Sequence, residues 1–583
     1  MVNSLHNHMK NKLVLTIALV VSILKLAAQD ASIKWGNSIT YHHKTNGFFD
    51  EVIGDNADYV YTLFDDGNQL NVKNVKIVAY SKSNANKKGE YILKGFGKQS
   101  PKEIVNAHIE NVVVFEDVIY VFWRTLDSKV ASYYVQSVTS ELKEKGKLKK
   151  IYEVNADIRK SGESLAFIIA NPDANSRVII GNEVKGPNDS FNVKYKILEK
   201  DLTFSDQNEI TLPLEWNSKS KDFGLKSSYT FTDSGMLFIS NGTKEEIAGG
   251  TARRPKYRYF NTYTIVNLTT GDAKSFPFKF EGKRLSGIRY RTFRNNGMLE
   301  GFYSDQEGDD DKSKRIDGIF HADINFEKGI IEEPVFNKFD QDFLDALYPK
   351  KGNTEDMSKR KQKKEEQKLD NELDEMVIEQ IIDDNGNPIL VCSQMNNYTV
   401  TTCDGKGNCT TSYYCSKSNI ITFKLDNENK IDWWTITARS YTYSGWNVYD
   451  VGVSPLKEGK YMITYASALN KDELDNSSKV KKNEVKSKDE RRELMEYSVL
   501  DVKAGRVEKK KMQINAPNTP TEKLKTVNPT DFYLMDGKVF VFSNNKVKKP
   551  GVMCLAYLTF CIISPFKGSG YKGEGTMGIL ESE

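Results

Sequence analysis

A turn residue followed by Gly and then by alternating apolar residues recurs five times along this 583-residue chain. The pattern occurs at 234–239, 296–299, 385–391, 458–463 and 536–542. Asp-Gly and Asn-Gly pairs supply the positive φ angles that a tight hairpin needs, and period-two alternation is typical of a strand with one buried face. The pattern therefore predicts a fold built from many short antiparallel strands.

The spacing of these turns indicates a repeat. The five glycines are 62, 89, 73 and 78 residues apart, and related alternations without Gly occur at 58–61, 117–123 and 165–169. Without the charged insertions near 350–375 and 470–493, each unit has roughly 55 to 65 residues, enough for a four-stranded sheet. We therefore predict an all-β chain forming a β-propeller of seven or eight blades, in which strands after about Ser32 complete the last blade. Several β-sandwich domains are the alternative.

The two insertions differ in composition from the rest of the chain. Residues 358–369 are almost all Lys, Arg, Glu and Gln, and Leu369, Leu373 and Met376 then recur at helical spacing. This pattern predicts charged, partly helical surface segments. A basic helix that docks an acidic partner is the functional alternative.

The N-terminus has the three parts of a secretory signal peptide. Basic residues precede an apolar run from Leu13 to Leu24, and Ala27 and Ala28 follow it. About 12 apolar residues are too few to span a membrane, so we predict cleavage near Ala28 and export to the periplasm or cell surface. Residues 29–566 then form the propeller-like domain, and the Gly-rich residues 567–583 are expected to be a flexible tail. No transmembrane span is predicted.

Catalytic signatures are scarce. Charged residues make up 28% of the chain with a net charge of +4, which gives no case for nucleic acid as a partner. Only His42, His43, His108 and His321 follow the signal segment, and none has zinc-ligand spacing. No phosphate-binding loop is present, and no catalytic residue is predicted. Paired carboxylates, as in glycosidases, have no sequence signature and stay open as an alternative.

The acidic loop at 305–311 is the one candidate metal site. Asp305, Glu307, Asp309 and Asp311 stand at alternating positions, from which their carboxylates can converge on one calcium ion. Lys312 follows immediately, and a solvated loop is the alternative reading. No other cofactor is predicted.

Four of the six cysteines lie between 392 and 415. Cys403 and Cys409 flank a five-residue turn between Thr- and Tyr-rich strands, which predicts that they face each other within disulfide reach. Zinc bound by all four cysteines is the rival, although no CxxC pair is present. The pairing of Cys392 and Cys415 is left open. Cys554 and Cys561, in a late apolar run, are read as buried thiols.

Four aromatic residues in one segment, Trp433, Trp434, Trp446 and Tyr449, are the candidate ligand-binding residues. Tyr and Trp provide large contact area with little rotamer entropy, as binding surfaces require. The alternative is that they belong to the core, with one Trp of the pair inward and one outward.

The same region carries a resemblance. The segments YTVTTCDGKGNCTTSYYC, NIITFKLDNENKIDWW and YTYSGWNVYDVGV resemble a family of exported Bacteroidota proteins with propeller-like repeats, most closely over 380–467. The resemblance implies a cell-envelope or secreted β protein and offers no catalytic motif. We therefore expect a non-enzymatic binding or scaffold protein whose partner is an envelope protein or a glycan. A carbohydrate-active hydrolase and a structural subunit of an envelope complex are the alternatives.

Overall fold

The computed structural model describes residues 31–42, 48–65, 75–93, 107–155, 162–170, 177–199, 202–215, 227–305, 316–347, 376–465, 494–513, 527–547 and 572–582. Within these ranges it omits 116, 128, 233–234, 252–253, 294–295, 385, 404–408, 445–450, 457–458 and 536–537. The predicted signal peptide and both charged insertions lie outside the described residues.

Strands account for most of the described chain. It begins with β1 (Ala31–Trp35) and β2 (Ile39–His42), and the strands that follow form eight consecutive groups, here called sheets 1 to 8. Sheet 1 contains β3 (Phe48–Asp55), β4 (Tyr59–Asp65), β5 (Lys76–Ser81) and β6 (Lys87–Ile92). Sheet 2 contains β7 (Ala107–Phe115), β8 (Val118–Asp127), β9 (Val130–Thr139) and β10 (Glu144–Asn155). Sheet 3 contains β11 (Glu163–Ala170), β12 (Val178–Lys185), β13 (Ser190–Leu198) and β14 (Asn208–Glu215).

The next three sheets include the longest strands. Sheet 4 contains β15 (Ser227–Phe231), β16 (Met236–Thr251), β17 (Arg254–Asn267) and β18 (Ala273–Phe278). Sheet 5 contains β19 (Arg284–Phe293), β20 (Asn296–Ser304), β21 (Gly318–Asn325), β22 (Ile330–Ile331) and β23 (Val335–Lys338), and is followed by helix α1 (Gln341–Leu347). Sheet 6 contains β24 (Met376–Asp384), β25 (Asn387–Cys403), β26 (Cys409–Leu425) and β27 (Ile431–Ser444).

The last two sheets are joined into one hydrogen-bonded unit of nine strands. Sheet 7 contains β28 (Val451–Pro455), β29 (Lys460–Tyr465), β30 (Leu494–Asp501) and β31 (Arg506–Gln513). Sheet 8 contains β32 (Val527–Met535), β33 (Lys538–Val547) and β34 (Lys572–Ser582), and β1 pairs with both β34 and β31.

Hydrophobic clusters lie between consecutive sheets all the way round. Trp123 of sheet 2 packs with Tyr61 of sheet 1, and equivalent clusters join each later sheet to the next. Phe540 and Phe542 of sheet 8 then pack against Val60 and Phe64 of sheet 1. The core is thus distributed between the sheets, and the last sheet contacts the first in a propeller-like arrangement. Strand β5 is buried along all six residues, because both faces of its sheet are covered.

The N-terminal strand completes the last sheet, as predicted. Sheet 8 receives only three strands from the C-terminal part of the chain, and β1 adds the fourth, with Ile33 opposite Leu580. Pairing between the two ends of a chain removes two unpaired edges. The all-β prediction is confirmed.

The expectation of a flexible tail over 567–583 does not hold for residues 572–582, which are part of a sheet. These residues form β34, which lies between β33 and β1, and Met577 is buried. The glycines that suggested flexibility have a packing role instead, because a Cβ at Gly578 would lie 2.5 Å from Ile33 and 2.8 Å from Trp35. Within the described ranges, no helix is long and apolar enough to cross a membrane.

Candidate functional site

Two hairpins extend beyond the sheets that carry them. In sheet 4, β15 pairs with β16 only over 237–241 and β18 with β17 only over 261–266, whereas β16 and β17 pair with each other out to Thr251 and Arg254. In sheet 6, β25 and β26 pair out to Cys403 and Cys409. Each hairpin therefore ends in a ribbon with more exposed surface than the sheet below it.

The strand order places several connections at one end of the sheets. Because neighbouring strands are antiparallel, the connection from second to third strand lies at the same end as the connection leading to the next sheet. The β16–β17 hairpin, the β18–β19 connection, the end of β20 and the end of β23 are therefore expected together where sheets 4 and 5 meet.

The outer part of the β16–β17 hairpin has an aromatic face, which we call the tyrosine ribbon, formed by Tyr257, Tyr259 and Lys244. Tyr259 is 66% exposed, and its ring centroid lies 6.5 Å from that of Tyr257. Lys244 Nζ lies 4.5 Å from the Tyr257 centroid, within cation–π range. Tyr257 and Tyr259 lie on the same face of β17 as Tyr263, and Tyr263 is buried against sheet 5. The ribbon thus continues the surface of sheet 4 that faces sheet 5.

The opposite face of the same hairpin carries a second cation–aromatic group. Lys279 Nζ lies 5.0 Å from the Phe260 centroid and also pairs with Glu245. Arg258 lies 3.4 Å from the other oxygen of the same Glu245 carboxylate. One carboxylate therefore bridges two cations.

A third group of this kind lies at the end of sheet 5 where the β18–β19 connection and the ends of β20 and β23 meet. Lys283 Nζ lies 4.6 Å from the Tyr303 centroid and 5.1 Å from that of Phe336. Its ammonium pairs with Asp305 Oδ1, while Lys338 Nζ lies 3.5 Å from Asp305 Oδ2. The hydrogen bond from Lys283 is the main cause that lowers the pKa of Asp305. A carboxylate again bridges two cations.

The calcium prediction is only partly addressed by this geometry. Asp305 is engaged by two lysines, whereas Glu307, Asp309 and Asp311 lie outside the described residues. Among the residues with described positions, no group of three or more His, Cys, Asp or Glu side chains is arranged to hold a metal ion.

A buried charged triad lies deeper in sheet 5, on the face toward sheet 6. His321, 1% exposed, has Nδ1 3.2 Å from Glu300 Oε1 and Nε2 3.1 Å from Asp323 Oδ1. Burial opposes the charge of His321, but Asp323 and Glu300 outweigh it and raise its pKa to about 9. Burial raises the pKa of Glu300, and the hydrogen bond from His321 lowers that of Asp323. Asn429 of sheet 6 donates to Asp323 at 3.2 Å, so the triad joins the two sheets.

The two described tryptophans of the predicted site do not share one surface. Trp433 and Trp434 are adjacent on β27 and both half-buried, on opposite faces of sheet 6. The ring centroid of Trp434 lies 5.3 Å from that of Phe343 in helix α1, while Trp433 packs toward sheet 7. Trp446 and Tyr449 lie outside the described residues, so their role stays a prediction.

The disulfide prediction is confirmed. Cys403 and Cys409 are bonded, with Cα atoms 4.0 Å apart, at the end of the sheet 6 hairpin. Cys392 and Cys415 are buried free thiols, and burial raises the pKa of Cys392 well above its usual value. Cys554 and Cys561 lie outside the described residues.

The tyrosine ribbon and its lysines were missed by the sequence reasoning. The available signal was the run YRYFNTY at 257–263, in which Tyr, Phe and polar residues alternate, followed by KFEGKR at 279–284. It was overlooked because strand alternation alone does not show how far a hairpin extends beyond its neighbours.

Comparisons with known proteins give remote structural likenesses. No protein-family model matches the chain, and no curated protein matches it in sequence. The polysaccharide lyase Uly1 is similar over 94% of this chain and 100% of its own, at 10% identity and a TM-score of 0.31. An ulvan lyase bound to a -[GlcA(1-4)Rha3S]- saccharide is similar over 74% of this chain and 94% of its own, at 7% identity and a TM-score of 0.31. A mutant of Synechocystis apocarotenoid oxygenase is similar over 70% and 72%, at 8% identity and a TM-score of 0.26. Structural similarity at this level does not support a conclusion about activity.

Proposed function

We propose that this chain is an exported, non-enzymatic binding protein that holds a carbohydrate against the tyrosine ribbon. The observation that carries the proposal is the exposure of Tyr259, 66%, beside Tyr257 on a hydrogen-bonded ribbon. Two neighbouring tyrosine rings and a lysine form one contiguous aromatic patch here, and exposed patches of this kind mark binding surfaces.

The ribbon suits a sugar ring for physical reasons. Tyrosine offers an apolar face and a hydroxyl, with only two side-chain torsions to order on binding. The cross-strand pairs Lys244–Tyr259 and Glu246–Tyr257 fix the backbone beneath the two rings. Little conformational entropy is lost when such a preorganised surface binds.

The scaffold is proposed to be an eight-bladed β-propeller. Eight sheets follow one another along the chain, clusters join consecutive sheets, and sheet 8 packs on sheet 1. A ring of sheets explains why both faces of β5 are buried, as separate sandwiches with one solvated face each do not.

Export is supported by two features. The first is the signal-like N-terminal segment with its small-residue end. The second is the Cys403–Cys409 disulfide, which lies on an exposed hairpin, where an oxidising compartment preserves it. The resemblance to exported Bacteroidota proteins is consistent with both.

A binding role is favoured over hydrolysis by the state of the carboxylates near the ribbon. A general acid needs a pKa raised toward the working pH, whereas the lysine hydrogen bond lowers the pKa of Asp305. Each oxygen of the Glu245 carboxylate contacts a cation. Their arrangement serves charge pairing.

Native electrophoresis through gels that contain laminarin, pullulan, polygalacturonate or chondroitin sulfate tests the proposal. We expect at least one polymer to retard the protein and Tyr259→Ala to abolish the retardation. Tyr413→Ala is the matched control, because Tyr413 is 48% exposed on the other long hairpin. Retardation by none of the polymers, or equal retardation of the Tyr259 variant, would overturn the proposal.

A further inference from the structure

The cations around the ribbon form the same local arrangement twice. At each place an ammonium lies over an aromatic ring, and a carboxylate joins it to a second cation. Lys283, Asp305 and Lys338 form one set, and Lys279, Glu245 and Arg258 form the other. Each set has two positive charges and one negative charge.

From this arrangement we infer that the ligand is an acidic polysaccharide, whose carboxylate or sulfate groups bind between Lys283 and Lys338. The inference rests on the proposed function and names its substrate class. The Asp305 carboxylate already lies between the two ammonium groups, and each ammonium contacts a different carboxylate oxygen. The spacing of the two lysines is therefore matched to a single carboxylate-sized anion.

Lys283 is held in place by more than its ion pair. Its ammonium lies over the rings of Tyr303 and Phe336, and its carboxylate partner is anchored through the Asp305 backbone N–H, which donates to Asp317 at 2.8 Å. A cation fixed before binding loses little entropy when an anion arrives. The contact is thus preorganised for an oxyanion.

Asp305 is open enough to yield to a ligand. Its side chain is 39% exposed and that of Lys338 is 68% exposed. Ion pairs this accessible to water contribute little stability, so an incoming anion replaces a weak contact. In this view Asp305 is a competitor for the ligand's anion, and it keeps the lysines ordered in its absence.

Substitutions of opposite sign test the inference in the full chain. We expect Lys283→Met to weaken binding of polygalacturonate or chondroitin sulfate about tenfold, the effect of one lost charge-assisted contact. We expect Asp305→Asn to strengthen it severalfold, because the competing anion is removed. Lys143→Met and Glu141→Gln are the matched controls, since this exposed pair lies in the β9–β10 turn, at the other end of sheet 2. Both controls should bind as the parent does.

The outcomes separate this inference from the proposed function. Tyr259-dependent binding of laminarin or pullulan, without binding of the acidic polymers, would overturn the inference and leave the proposed function intact. Binding of none of the polymers would overturn both. Weaker acidic-polymer binding by Asp305→Asn would also contradict the inference. If EDTA then reproduced that loss in the parent protein, it would assign Asp305 to calcium.

Discussion

Replacement of His321 by Gln should remove a pH-dependent part of the stability. The imidazolium lies between Glu300 and Asp323, and these carboxylates raise its pKa from 6.5 to about 9 despite burial. A group whose pKa is raised on folding stabilises the native state fully below its unfolded pKa and loses that contribution as the pH rises through the folded value. The contribution of His321 is therefore complete below pH 6.5 and lost toward pH 9.

The size of this contribution follows from the same two values. The interval between 6.5 and about 9 corresponds to roughly 3 kcal/mol at 25 °C. Arg291, whose charge also acts on Glu300, remains in the variant and compensates only part of the lost cation. We expect His321→Gln to be less stable than the parent by roughly 3 kcal/mol at pH 6, with the difference narrowing as the pH approaches 9.

Urea unfolding followed by tryptophan fluorescence at pH 6.0, 7.5 and 9.0 measures the difference directly. Comparison of parent and variant at each pH cancels the titrating groups that do not interact with His321, so the remaining pH dependence belongs to His321, Glu300 and Asp323. A constant stability difference across the three pH values would refute the assigned charge state. Asp323→Asn is the companion variant, because the pKa of Asp323 is lowered and its contribution is lost only in acid.

Two further predictions concern the closure of the last sheet and the disulfide. Gly578→Ala should lower the melting temperature by several degrees, because its Cβ would lie 2.5 Å from a neighbouring side chain, and overpacking typically costs about 1–3 kcal/mol. Gly242→Ala, which has open space around the added Cβ, should not lower it, and equal melting of the two variants would contradict the packing account. The double variant Cys403→Ser, Cys409→Ser should be cleaved faster by proteases between the two positions. Without the bridge, the opened hairpin end regains chain entropy, which lowers its local stability by about 2 kcal/mol. An unchanged rate of cleavage, with the cut sites identified from fragment masses, would show that the disulfide does not stabilise this end of the hairpin.

The strand pattern of the fold was readable from the sequence because turn residues fix the hairpins. Gly235, Gly386 and Gly459 adopt positive φ, and each immediately precedes the strand that was predicted after it. The role of the N-terminal strand was also predictable, since repeated sheets leave edges that the chain ends can pair. The tail was misjudged because Gly-rich composition indicates flexibility only where no neighbouring group occupies the space of the missing side chain. At Gly578 the side chains of Ile33 and Trp35 occupy that space.

The candidate site was less predictable, for a reason that lies in the ring of sheets. Period-two alternation usually separates a buried face from an exposed one, and on that rule either Trp433 or Trp434 should face solvent. Both faces of sheet 6 are covered by neighbours, so both side chains are half-buried. An exposed aromatic face arises only where a hairpin extends beyond the sheets on either side.

The location of the tyrosine ribbon therefore follows from a mismatch in strand length. Strand β16 has 16 residues and β17 has 14, whereas β15 has five and β18 has six. The inner residues of the long pair pack against sheets 3 and 5, and Tyr263 is buried there. Four and six positions further out on the same face, Tyr259 and Tyr257 pass beyond the flanking strands while keeping the register that the buried part sets. A rigid, buried sheet thus holds two aromatic rings at its outer end, beside the connection that carries Lys279 and Lys283. A preorganised binding surface needs this arrangement. The same geometry places the Lys283 set at the end of the sheets where the ribbon lies, and the Lys279 set on the opposite face of the hairpin.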